Sequence, residues 1–336
     1  MEFFRFEMRF WLRGWMIYIF LGIVALLFGF ATGSDNVQVG AAIGNTFRNA
    51  PFVIMQYYIA AGLLVALMVV AVYDSAASRD FATKFSDVLF SKPINKWNYL
   101  IGRFCAATLI SLIPTMGISI GMIVAGWMPG IDTERWGPIR WDAHALGMLT
   151  FAIPNTLLVG AIVFAIAAWT RNTLYSFLGV LLLMVAYGVS QSLVSDISNE
   201  FLAMMIDPLG GTAYSIPTKY WTVDQRNSWC LPLSVPLIIN RVIWLAVGIL
   251  TFILAGLSFS FNTGNIRRRS SKKRVVPAFV EPHAPITEWP KIKPQPSWLS
   301  QFRSCVWLDV VAVMRTPAFI VVLLAAMLNT TISLFT

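Results

Sequence analysis

Apolar runs of membrane-spanning length alternate with shorter polar stretches along most of this chain. The runs cover residues 15–30, 52–72, 100–127, 146–169, 174–194 and 237–261. A helix needs about 20 apolar residues to cross a bilayer, and a slightly shorter one crosses if the bilayer thins around it. The pattern therefore predicts an all-α, polytopic membrane helical bundle of six spans. Ahead of the first span, Phe3, Phe6 and Phe10, with Phe4 and Trp11, are interleaved with Arg5, Glu7, Arg9 and Arg13. That spacing suits an amphipathic lead helix lying in the interface. Pro114 and Gly117 predict a kink in the third span. Trp136 and Trp141 read as interface anchors in the loop that follows. In the long loop 195–236, the apolar segment 201–206 is too short to cross. Asn240 and Arg241 lie at the start of the sixth span. In the fifth, Gln191 and Ser192 suit a hydrogen bond between helices.

The polar stretch between the second and third runs has its own pattern. Phe81, Phe85 and Leu89 recur every four residues, which places them on one face of a helix. Asp80 and Lys84 are spaced as an acid-first i,i+4 pair. Pro93, without an N–H, ends the helix. Arg79, Lys84, Lys92, Lys96 and Arg103 hold the stretch in water, Arg103 by snorkelling to the headgroups. The expectation is a short amphipathic helix at the membrane surface; an ordinary solvated loop is the competing reading.

Composition agrees with lipid as the solvent. Of the 336 residues, 57% are hydrophobic and 12% charged, where a soluble domain carries about 25% charge. Mean hydropathy is +0.69. The net charge of +9 reflects loops kept on the inner side rather than an affinity for nucleic acid. With the N-terminus inside, only Arg48, Arg135, Arg140, Lys219, Arg226 and Arg241 among the cations fall outside. The block Arg267–Arg268–Arg269 and Lys272–Lys273–Arg274 fixes that orientation and meets anionic lipid. Residues 277–296 are proline-rich, as in a semi-rigid tether. The pattern then starts again. Asp309 and Arg315 are spaced like Glu7 and Arg13, and an apolar run, 319–335, follows. Three segments result: a membrane module at 1–262, a linker at 263–300 and the start of a second module at 301–336. A chain that stops there predicts a longer parent protein.

Reactive constellations are missing. No phosphate-cradling Gly-x-x-x-x-Gly-Lys-Ser/Thr, no His-Glu-x-x-His and no Gly-x-Ser-x-Gly occurs. His144 and His283 are far apart and read as solvated loop residues. Cys105, Cys230 and Cys305 form no pair with ligand or redox spacing. Acidic residues are nearly absent from the predicted spans, which disfavours proton-coupled transport. No cofactor is called for, and the expectation is a non-enzymatic chain driven by a partner.

Arg79–Asp80, Leu89–Phe90, Pro93–Ile94 and Gly102–Arg103, following a lead helix and two spans, resemble the type-2 permeases of ABC transporters (the ABC-2 family). A narrower likeness, to bacterial permeases with two joined membrane modules, some followed by a gluzincin aminopeptidase domain, lies in five segments. They are Asp207–Pro208–Leu209–Gly210, Tyr220–Trp221–Thr222, Arg226–Asn227, Leu231–Pro232–Leu233–Ser234 and Asn240–Arg241–Val242–Ile243–Trp244. The resemblance implies a coupling helix at 81–90 that docks on an ATP-binding subunit. Arg79, Asp80, Phe81, Lys84, Phe85, Leu89, Phe90 and Pro93 would make the contact. It also implies a second permease module or a homodimer, export, and the bacterial inner membrane with a cytoplasmic N-terminus. The other reading is a membrane anchor for a downstream peptidase-like domain.

Overall fold

A computed structural model describes residues 2–34, 37, 45–129, 131–194, 197–232, 234–261 and 298–314. Among these residues no strand occurs. The protein is an all-α polytopic membrane bundle. Its six long apolar helical runs are Met16–Gly33, Pro51–Ala82, Lys96–Ala125, Trp141–Thr170, Thr173–Leu193 and Val235–Ser258.

The helices are α1 (Glu2–Arg13), α2 (Met16–Gly33), α3 (Pro51–Ala82), α4 (Ser86–Leu89), α5 (Lys96–Ala125), α6 (Trp141–Gly147), α7 (Ile153–Thr170) and α8 (Thr173–Leu193). Then come α9 (Glu200–Ile206), α10 (Gly211–Thr218), α11 (Val223–Ser228) and α12 (Val235–Ser258). One π-helical turn, Met148–Ala152, joins α6 to α7. Pro154 has no N–H to offer the carbonyl four residues back, and just ahead of it the Ile153 N–H reaches five residues back, to the Met148 carbonyl. Two compact units divide the chain, 1–260 and 261–336. In the second, α13 (Trp298–Met314) is described. The basic block, the proline-rich tether and the apolar run 319–335 lie outside the described residues.

Because the spans alternate in direction, α1, the α3–α5 connection, the α7–α8 turn and the end of α12 share one end of the first unit, the near end. The α9–α11 segment lies at the far end. The core is α3 and α7, whose apolar windows are 67% and 72% buried, against 28% for α2 and α8 and 22% for α12. Small residues set the helix spacing. A Cβ on Gly121 would overlap the Ala25 carbonyl of α2, and one on Gly117 would lie 2.8 Å from the Leu21 carbonyl. Gly117 therefore serves close approach; α5 runs unbroken through it and through Pro114.

The largest departure from expectation is α3. The second apolar run ends at Val72, but the helix continues to Ala82. At 1.5 Å per residue, its 32 residues span about 48 Å, roughly 18 Å more than a hydrocarbon core of about 30 Å, and its last turn lies level with the end of α12, where Phe81 packs on Phe259. The extension is helix-favouring, with Ala76, Ala77 and Ala82, and its charged residues face other helices: Asp74 and Asp80 are buried and Arg79 is half-buried.

Candidate functional site

At the near end, four charges from three helices form a buried knot. Glu7 of α1 is fully buried, accepts from Arg79 Nη2 of α3 at 2.6 Å and from Trp11 Nε1 at 3.1 Å, and lies 3.7 Å from Arg103 Nη1 of α5. Asp80 accepts from Arg103 Nη2 at 2.5 Å and from the Tyr99 hydroxyl at 3.0 Å. Arg103 also donates to the Ala76 carbonyl at 2.7 Å. Two carboxylates and two guanidiniums balance, as buried ions require. The lead helix can come this close because Gly102 leaves room: a Cβ there would stand 3.2 Å from that of Phe3. Phe3 packs edge-on against Tyr99 with ring centroids 5.1 Å apart, and Arg79 sits 4.0 Å over the Phe10 ring. One turn back along α3, buried Asp74 accepts from Thr173 Oγ1 and Ser176 Oγ, both at 2.7 Å. These hydroxyls lie in the first turn of α8, where the helix dipole favours a negative charge.

Beyond the knot the chain turns sharply, and the expected surface helix is replaced by an elbow. Helix α3 stops because Lys84 adopts a left-handed conformation, φ 59°, a helix-ending geometry that usually falls to glycine. A four-residue helix, α4, follows, and Asn95 caps α5 by accepting from the Trp97 and Asn98 amides. The break separates the predicted contact residues. Phe81 belongs to α3 and is packed inward, with centroids 5.6 Å from Phe90 and 6.2 Å from Phe259, under the Arg171 guanidinium at 3.8 Å. Leu89 and Phe90 are half-buried, and Phe90 packs edge-on against Tyr99. Phe85 remains exposed, and its apolar neighbour at the tip is Val88, which the four-residue period did not reach. Lys84 and Pro93 are exposed beside them. Asp80 does not pair with Lys84, since buried Arg103 is the stronger partner. Arg103 itself is 2% exposed, so it does not snorkel. Pro93 is not the stop; α4 has already ended at Leu89.

A second polar cluster closes the far end. Asp207 accepts from the Leu209 and Thr212 amides at 2.8 and 2.6 Å, bracing the turn into α10. Asn240 Nδ2 donates to the carbonyls of Met204 and Asp207 at 2.6 and 2.9 Å. Arg241 donates to Asn155 Oδ1 at 2.9 Å and to the Pro208 carbonyl at 3.3 Å, and Asn155 donates to the Leu209 carbonyl at 3.2 Å. Gly210, φ 76°, lies so close that a Cβ would land on the Arg241 guanidinium. The α9–α10 hairpin is thus clamped by α7 and α12. Ser190 and Gln191 of α8 add bonds to Thr212 at 2.9 and 3.1 Å, so the expected interhelical bond forms through Gln191. Segments 207–210 and 240–241, singled out by the narrower likeness, meet here; Asn155, which no motif singled out, joins them from α7.

Beside the clamp, Arg140 holds Asp142 through Nη2 at 2.6 Å, and the Cys230 thiol donates to Asp142 at 3.4 Å. Burial, then this carboxylate, pushes the Cys230 thiol up to about 11. His144, expected in a solvated loop, is buried in α6. Compared with protein-family models, with curated proteins and with solved structures, the chain gives no match.

Proposed function

We propose that this chain is the transmembrane permease of an ATP-driven transporter of the ABC-2 class. A separate nucleotide-binding subunit hydrolyses ATP and drives export through this chain paired with a second module or a second copy. The membrane is the bacterial inner membrane and the near end lies in the cytoplasm. One observation carries the reading: the Phe85–Val88 elbow stands on a buried ionic knot that ties α1, α3 and α5 together.

A push on the elbow therefore moves three helices jointly instead of being absorbed in a loop. Helix α3 extends the push to the far end. From Ala82 to Ile59 is about 35 Å of unbroken helix, and Ile59 and Gly62 lie against Gly211 and Leu209 of the clamped hairpin. Such a lever switches states only if the partner binds the two arrangements unequally, which the ATP cycle of the partner supplies.

The test is vanadate-sensitive ATPase activity of the chain reconstituted with the nucleotide-binding subunit encoded beside it. Phe85→Ala with Val88→Ala is expected to cut chain-stimulated ATPase about tenfold, the equivalent of one lost contact of 1.4 kcal/mol, with thermal unfolding unchanged. Full stimulation in the double variant would refute the elbow as the contact. A chain without any ATPase neighbour, but continuing into a peptidase domain, would instead be a membrane anchor.

A further inference from the structure

A cavity of about 110 Å³ opens between α5, α7 and α12. Phe104 of α5, Leu157 and Ala161 of α7, and Gly248, Ile249 and Phe252 of α12 line it. Ile249 is exposed, and Phe104, Leu157 and Phe252 are half-buried, so the cavity communicates with the outer face of the bundle. No lining side chain carries a nitrogen or oxygen. Water needs two to four polar partners to stay in such a space, so the cavity does not hydrate. At one end Phe104, Phe164 and Phe252 pack together, with the Phe104 and Phe252 centroids 4.4 Å apart.

Depth identifies what fills it. Counting from Ser258 at the near end of α12, Phe252 lies about 9 Å and Leu245 about 20 Å along the helix. One leaflet of hydrocarbon is about 15 Å thick, so the cavity spans the lower half of the near leaflet and the midplane. At the matching headgroup level, Trp169 donates to Ser258 Oγ at 2.6 Å, and the Trp97 ring lies against Gly256. Indoles there mark the interface from which a lipid tail descends. We propose that this cavity is a binding site for one acyl chain of a near-leaflet phospholipid, held between α5, α7 and α12. The inference rests on the membrane fold and not on the transport reading.

The test uses the full chain in vesicles of phosphatidylethanolamine and phosphatidylglycerol, doped with a phosphatidylcholine bearing a mid-chain diazirine. After photolysis, adducts are mapped by peptide mass spectrometry. Labelling of Ile249 and Phe252 is expected to exceed that of Leu182 and Val185, more open positions on α8 taken together, by at least about fivefold, the factor a difference of one kcal/mol produces. Leu157→Phe, which fills the cavity from its half-buried rim, is expected to remove that excess and leave α8 labelling unchanged; Ala161→Leu repeats the test from inside. Equal labelling of both faces, or an excess that survives in a filled variant whose α8 labelling is normal, would overturn the proposal and mean annular lipid only.

Discussion

At the scale of single residues, the near-end knot makes the sharpest claims. Removing one member of a buried ion pair leaves its partner charged and unsolvated, which costs about 3–5 kcal/mol. Arg103→Met is therefore expected to lower thermal stability in detergent by that order, since it strands Asp80 and part of Glu7. Glu7→Gln combined with Arg79→Gln should cost less than the two single changes summed, because the pair is removed together; additive losses would show that the two do not interact. Cys230 gives a prediction about pH. With its thiol pushed to about 11, alkylation of a Cys105→Ala, Cys305→Ala variant should climb steadily from pH 8 toward pH 11. It should run about a hundredfold below an ordinary thiol at pH 8, because the thiolate is the nucleophile; a plateau near pH 9 would contradict this. Sequence spacing revealed little of the knot. It reports neighbours along one helix, and so offered Asp80–Lys84, whereas burial selected Arg103, which is distant in sequence. Glu7, Asp74 and Asn155 were missed for the same reason: a polar residue on a helix names no partner until the facing helix is placed.

At the scale of elements, the six crossings were legible because lipid demands long apolar runs that no loop imitates. Their ends were less so. Helix α3 outruns its apolar run by ten residues because Asp74, Arg79 and Asp80 find partners on α8, α1 and α5, and hydropathy does not register paired charges. The elbow was illegible for another reason. Lys84 breaks the helix in a conformation that lysine seldom takes, at a cost of about 1–2 kcal/mol, and such strain collects where a surface is held for use. Close helix contact gives a direct check. Gly121→Leu is expected to destabilise the protein by about 1–3 kcal/mol, since it drives α2 from α5. Gly188→Ala, with nothing within 4 Å of its Cβ, should be neutral or stabilising by up to about 1 kcal/mol. Equal effects of the two would mean that the α2–α5 packing is wrong.

At the scale of the whole molecule, α3 runs from an elbow at one end to a clamped hairpin at the other. Sidedness is the first requirement. In a cysteine-free background, an impermeant maleimide applied to intact cells should label Tyr220→Cys, and Val88→Cys only after permeabilisation. The positive-inside bias motivates this orientation; labelling of Val88→Cys from outside would reverse it. The central claim is that a motor protein grips the elbow. It is tested most directly by replacing Val88 with a benzophenone-bearing residue in the native host and irradiating the cells. The account predicts a covalent adduct with the nucleotide-binding subunit whose yield changes when vanadate traps the ATP cycle. Adducts with lipid alone, from a chain that remains folded and correctly oriented, would contradict it.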